Sequence, residues 1–233
     1  MLPAKPNPLV TWWFDRWCAT NLHNSFSAIR LYGDLAPLAA GVPTLLVANH
    51  VSFWDGIVLN WLLRKHSRLP RYCMIDERQV IEHPFFRRIG GFSVRRGDPR
   101  DGLAAMAYAR QRLAEPAVVV IFPQGRIVPI RRRPLAFERG VGRLLEAAAA
   151  AQVLLVALHY EFWEEQRPEL LVRIEKQPDM AAMPRSRRPQ MLETRLGELL
   201  DELEAACLAR DPGRVLLEGK VSISRWKEQY RRK

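Results

Sequence analysis

Three observations predict an α/β fold with a mixed, mainly parallel sheet flanked by helices. Short apolar runs are bounded by turn formers, helical patterns of about 10–15 residues lie between them, and the unusual polar residues gather where runs end and helices begin. The chain has 233 residues, 48% of them hydrophobic, enough for one domain with a full core. Its 13 Gly and 17 Pro, with no low-complexity tract, exclude collagen-like and disordered classes.

Residues 8–32 place Leu9, Trp12, Trp13, Phe14, Trp17, Leu22, Phe26, Ile29 and Leu31 at largely helical spacing, predicting one or two amphipathic helices. Clustered indoles flanked by Lys5 and Arg16 suit a helix lying in a membrane interface, and a helix packed on the core fits the same pattern. The expected division is therefore an N-terminal amphipathic segment, 1–32, and a main domain, 33–233. After a break rich in turn formers, residues 44–50 read as a buried strand ending at Asn49-His50, and residues 55–66 as a helix. Residues 70–77 suit a second strand, 83–91 a loop or short helix, and 90–96 a third short strand. A helix is expected over 101–115, a buried strand over 116–125 closed by Pro123 and Gly125, a helix over 137–152 and a buried strand over 153–163. Residues 169–177 carry no assignment, and a last helix is expected from about Met191 to Ala209.

The chain carries 36 Lys+Arg against 25 Asp+Glu, a net charge of +11. That favours an anionic partner, whether nucleic acid, a membrane surface or a phosphorylated substrate. The arginines are dispersed and form no helix-turn-helix, zinc or RNA-recognition signature, so nucleic acid is not the expected partner. Cys18, Cys73 and Cys207 lie far apart, which fits neither a disulfide framework nor a zinc site and points to a reducing compartment. No window approaches the roughly 18 apolar residues of a membrane span, so any membrane contact is expected to be peripheral.

Three stretches at expected strand ends carry the chemistry: Asn49-His50-Val51-Ser52-Phe53-Trp54-Asp55, Gly90-Gly91-Phe92-Ser93-Val94-Arg95-Arg96 and Phe122-Pro123-Gln124-Gly125-Arg126. On a regular helix His50 and Asp55 would point about 140° apart, so they meet only if the chain bends between them. In that case Asp55 can hold one imidazole nitrogen and leave the other to take a proton. The spacing Ser52-x-x-Asp55 is equally a capping box with His50 a bystander.

The order of these stretches resembles the glycerolipid acyltransferase family that contains the bacterial lysophosphatidate acyltransferases. That family is marked by N-H-x-x-x-x-D, then G-x-x-x-x-x-R, then F-P-E-G-x-R, and the resemblance covers about residues 30–160, with Phe137 to Gly140 similar to its F-x-x-G element. It implies transfer of a fatty acyl group from acyl-CoA or acyl carrier protein to a lipid hydroxyl, with no metal or cofactor. It further implies His50 as general base, Asp55 as its orienting acid, and Arg96 on the acceptor's phosphate. Phe122, Pro123, Gln124, Gly125 and Arg126 would complete the substrate site. The work would take place peripherally, at the cytoplasmic face of the cell membrane.

The third stretch departs from the family pattern. Gln124 stands where the family has Glu, Arg126 where it has Thr, and Ile127 where it has Arg, and the apolar run Val153 to Leu158 lacks the family's Pro. Arg126, or Arg131, Arg132 and Arg133, are the available replacement cations. The departures leave open a glycolipid, a glycosylated carotenoid or a lyso-aminolipid as acceptor instead of a lysophospholipid such as 1-acylglycerol-3-phosphate. His23, His66 and His83 read as helix-end or surface residues, and His159 with Tyr160 and Glu161 sits at a strand exit.

Overall fold

The computed structural model describes residues 1–138, 140–147 and 151–220. The strands are β1 (Ala28–Gly33), β2 (Thr44–Ala48), β3 (Arg71–Asp76), β4 (Gly91–Val94), β5 (Val118–Ile121), β6 (Gln152–Glu161), β7 (Glu169–Lys176) and β8 (Arg214–Glu218). The helices are α1 (Pro8–Ser25), α2 (Ala36–Ala39), α3 (Trp54–His66), α4 (Glu77–Glu82), α5 (Phe85–Arg88), α6 (Pro99–Leu113), α7 (Val141–Ala147) and α8 (Arg188–Leu208). The strands form one sheet in the order β4-β3-β5-β2-β6-β7-β1-β8. The run from β4 to β6 is parallel, β7 is antiparallel to β6, β1 is parallel to β7, and β8 closes the edge antiparallel to β1. The mixed, mainly parallel α/β architecture is the one the sequence predicts.

Alternation along the central strands divides the core between the two faces of the sheet. Leu45 and Val47 of β2, with Val153, Leu155 and Ala157 of β6, pack with Ala105 and Ala109 of α6, Leu144 of α7 and Leu199 and Leu203 of α8. Leu46 and Ala48, with Leu154, Val156 and Leu158, pack with Phe14, Cys18 and Leu22 of α1 and Val58 and Leu62 of α3. A strand covered on both faces needs apolar residues at every position, which is why these segments read as continuous runs. Each fully buried Leu or Val contributes about 1.5–3 kcal/mol.

The N-terminal segment differs from expectation. Helix α1 is capped by Asn7, whose side chain accepts from the Leu9 and Val10 N–H groups, and it ends at Phe26. Ala28–Gly33 is then a strand, so the expected boundary at residue 32 falls inside β1 of the main sheet. Ile29 and Leu31, taken above as the end of a helical stripe, alternate along that strand; a short apolar run fits either period. Residues 169–176 form β7 and 214–218 form β8, two strands that the apolar pattern does not predict. Of the expected helix over 137–152 only 141–147 is seen, as α7; Phe137 and Glu138 precede it outside any helix, Gln152 already opens β6, and 148–150 lie outside the described residues, as do 221–233.

Two glycines of the sheet's β4 end are required by the backbone. Gly90 has φ +100, and a Cβ there would lie 2.1 Å from the Arg71 carbonyl oxygen. A Cβ on Gly91 would meet Ile75 Cδ1 and the Phe86 carbonyl oxygen at 2.8 Å. The pair lets β4 lie against β3 and so sets the path toward Arg96.

Candidate active site

The site lies at the carboxyl ends of the parallel strands, where α/β sheets place their chemistry. Asn49 leaves β2 fully buried and uses both ends of its amide on the Leu158 backbone of β6, accepting from the N–H at 2.8 Å and donating to the C=O at 2.9 Å. That bidentate pairing fixes the chain where β2 stops. His50 follows, and its backbone is held on both sides: its N–H donates to Gln124 Oε1 at 2.7 Å, and its C=O accepts from the Val128 N–H at 2.9 Å. Its ring stacks on Phe122, centroids 4.3 Å apart.

The chain does bend between His50 and Asp55. Residues 51–53 turn before α3 begins, and the Asp55 carboxylate in its first turn folds back toward β2. Oδ2 accepts from the Val51 N–H at 2.7 Å, the Ser52 N–H at 2.9 Å and His50 Nδ1 at 2.7 Å. Oδ1 accepts from the Tyr160 hydroxyl at 2.6 Å. The N-terminus of α3 favours a negative group at this position. Asp55 thus secures the turn as the capping reading expects, but His50 is no bystander, because the same carboxylate orients its imidazole. With Nδ1–H on Asp55, Nε2 is the nitrogen left as acceptor, and the His50 side chain is 23% exposed.

Tyr160 is the residue that the motifs did not single out. Burial, reinforced by the Asp55 carboxylate, raises its phenol well above the ordinary value, so it stays a donor. Period-two alternation along β6 places it on the α3 face beyond Leu158, and that alternation was its one signal in the sequence.

The third stretch acts on His50 from below. Gln124 is 3% exposed, and its Nε2 donates to the Leu135 C=O at 3.2 Å while Oε1 takes the His50 N–H. Both ends of the amide are spent on the protein's own backbone. Gly125 has φ +63, and a Cβ there would lie 3.2 Å from Glu138 Cγ and 3.7 Å from Arg96 Cδ. The Arg96 stem thus passes beside the third stretch, with Nε donating to Asp76 Oδ2 at 2.7 Å and the side chain 47% exposed. Pro123 is buried, and Arg126 and Ile127 are exposed. Arg131 and Arg133 pair with Glu204 and Asp201 of α8, and Arg132 is exposed.

Nucleophilic catalysis by a free thiol is disfavoured, because burial pushes Cys18 and Cys73 up to about 12 and Cys207 up to about 11. His23 Nδ1 contacts the Glu218 C=O at 3.0 Å, and His83 lies 3.8 Å from Glu82. His159 is buried on the α8 face of the sheet, and burial lowers the basicity of its ring.

Residues 29–161, more than half of the chain, match the family model described as Acyltransferase. The chain belongs to the acyltransferase family. It is similar in fold to the 1-acyl-sn-glycerophosphate (LPA) acyltransferase PlsC of Thermotoga maritima, with a TM-score of 0.60 and 14% identity over 84% of this chain and 79% of that one. The DotB ATPases of Yersinia pseudotuberculosis and Legionella pneumophila are 12% and 11% identical. They overlap 77% and 85% of this chain and 57% and 63% of their own, with TM-scores of 0.36 and 0.38, too low to carry an argument. No curated protein matches the chain. The matched span of this acyltransferase runs from β1 through the end of β6 and contains His50, Asp55, Arg96, Gln124 and Tyr160.

Two substitutions test this geometry. Gln124→Glu sets a carboxylate oxygen against the Leu135 carbonyl in a buried position, with an expected loss of about 1–3 kcal/mol in urea unfolding; unchanged stability would show that the Nε2 contact is idle. Tyr160→Phe removes one donor from Asp55 and is expected to lower acyl-transfer kcat about tenfold with KM nearly unchanged, a hydrogen bond to a charged group being worth about 1.5 kcal/mol or more.

Proposed function

We propose that this acyltransferase moves a fatty acyl group from acyl-CoA or acyl carrier protein to the hydroxyl of a lysophospholipid such as 1-acylglycerol-3-phosphate. The observation that carries the reading is the 2.7 Å contact of His50 Nδ1 with the buried Asp55 carboxylate, on a ring that keeps a partly exposed edge. In the proposed step Nε2 takes the hydroxyl proton as the acceptor oxygen attacks the thioester carbonyl. The C–S bond then breaks, and the imidazolium returns the proton to the departing thiolate, giving an ester and a free thiol. Because the thioester is already activated, the main demands are positioning and a base worth about 10²–10⁴-fold.

The acceptor class is supported by Arg96, which carries a half-exposed guanidinium beside the third stretch, and by the substrate named for the T. maritima enzyme of like fold. The place of action we infer is the cytoplasmic face of the cell membrane. Among the described residues no helix is long and apolar enough to cross a bilayer. Helix α1 is two-sided: Phe14, Cys18 and Leu22 are buried, whereas Leu9, Trp12 and Trp13 are 79%, 57% and 59% exposed. Arg16 lies over the Trp12 ring at 5.4 Å, which sets a cation beside the outward indoles. Exposed indoles beside basic groups suit the headgroup boundary.

Purified protein given radiolabelled acyl-CoA and a panel of lipid acceptors, read by thin-layer chromatography, tests the activity. His50→Ala is expected to lose about 10²–10⁴-fold in turnover with its fold intact, and Asp55→Asn somewhat less; turnover near wild type in His50→Ala would overturn the mechanism. Arg96→Ala is expected to raise KM for lysophosphatidate about 10–100-fold, from the loss of charge-assisted hydrogen bonds. Turnover of only a neutral sugar lipid, with no penalty in this variant, would transfer the activity to the glycolipid reading. Trp12→Ser combined with Trp13→Ser is expected to weaken sedimentation with anionic vesicles several-fold; equal sedimentation would show that this face of α1 does not meet the bilayer.

A further inference from the structure

On the face of the sheet opposite His50, the end of β6 and the last turn of α8 bring together an imidazole, a carboxylate and a thiol. His159 and Glu161 alternate with Tyr160 along β6, so they point away from Asp55 and toward α8, where Cys207 lies one residue from the helix end. The ligand atoms of His159, Glu161 and Cys207 all lie within 4.8 Å of one another. His159 and Cys207 are each 5% exposed, whereas the Glu161 side chain is 35% exposed and so has room to adjust.

Nε2 of His159 is the second observation. It is buried and finds no hydrogen-bond partner among the described residues, and its approach to Glu161 Oε2 is 3.6 Å, beyond hydrogen-bond reach. A buried ring nitrogen 3.6 Å from a carboxylate and short of a hydrogen bond to it, on a ring grouped with a thiol, is the arrangement a cation between them would complete.

We propose that His159, Glu161 and Cys207 form a Zn²⁺ site. Imidazole nitrogen, thiolate sulfur and carboxylate oxygen are the donors Zn²⁺ takes, at about 2.0–2.3 Å, and a tetrahedral arrangement then sets ligand atoms about 3.3–3.8 Å apart. The 3.6 Å spacing of His159 Nε2 and Glu161 Oε2 already falls in that range. The other spacings, up to 4.8 Å, must close by about 1 Å on the ion, through torsions of the Cys207 and Glu161 side chains. Binding exchanges the Cys207 S–H for an S–Zn bond, and the proton leaves to solvent. The C-terminus of α8 carries partial negative charge that favours a cation. Glu204, one turn before Cys207, adds a carboxylate on the same side of the helix, and Arg131, which pairs with it at 3.5 Å, is 79% exposed and can turn outward. Three protein ligands leave a fourth position for water.

The ion would not touch the acyl-transfer chemistry, because the sheet lies between it and His50. It would fix the end of β6 from one face while Tyr160, between the two ligating residues, holds Asp55 on the other. The site is independent of which acceptor the enzyme uses.

The test is metal binding by the full chain, first stripped with chelator. Co²⁺ is expected to give a thiolate-to-cobalt charge-transfer absorption, and Zn²⁺ to displace it with one ion per chain and a rise in thermal midpoint. Cys207→Ser, close to isosteric, should abolish the absorption, and His159→Ala and Glu161→Gln should each weaken Zn²⁺ binding at least about tenfold in competition with a chromophoric chelator. Cys73→Ser should leave it unchanged. Absence of the cobalt absorption in wild type, or affinity undiminished in Cys207→Ser and Glu161→Gln, would overturn the proposal even where His159→Ala fails to fold.

Discussion

Four donors converging on one buried carboxylate organise this site. Asp55 receives the His50 ring, the Val51 and Ser52 amides and the Tyr160 hydroxyl, drawn from the end of β2, the turn after it and the far end of β6. An isolated carboxylate in such a place would be expelled from the fold or neutralised. Here the donors, together with the start of α3, make its charge tolerable and give it a direction. The same bonds that make the carboxylate buriable also decide which nitrogen of His50 faces outward, so the stability of the turn and the orientation of the base cannot be separated.

The third stretch is best understood as a support for the first. Phe122 stacks on the His50 ring, Gln124 Oε1 accepts from the His50 N–H, and the Val128 N–H just beyond donates to its C=O. The departure of Gln124 from the family's Glu then has a local reason. A carboxylate could accept the His50 N–H but could not donate to the Leu135 carbonyl, whereas an amide does both. The change at Gln124 therefore reports on how the loop is anchored. Arg131 and Arg133, available on spacing as replacement cations, are tied to α8 instead.

The central strands were legible in the sequence because burial on both faces of a parallel sheet leaves continuous apolar runs. The strands β7 and β8 were not, because their sequences mix charges with apolar residues. Glu169 and Arg173 in β7 look solvent-facing, yet Glu169 is buried and its charge is met by Arg30 of β1. An ion pair between residues so distant in sequence leaves no local pattern. The His50–Asp55 pair was visible as spacing and became decisive only through the bend at residues 51–53. Tyr160 was invisible as a partner of Asp55, since 105 positions separate them and nothing local marks the pairing.

The place of β1 in the sheet has a consequence for how the chain is built. Its neighbours are β7 and β8, and the first pairing joins Ala28 to Glu169. During synthesis β2, β5 and β6 can assemble as their segments emerge, each connected by a crossover, while β1 must wait for some 140 later residues before either edge is paired. The first strand of this sheet to be made is thus the one that waits longest for a hydrogen-bonded neighbour. Until then Ile29 and Leu31, buried in the finished fold, have no sheet to cover them, which leaves this stretch open to chaperones and to premature association.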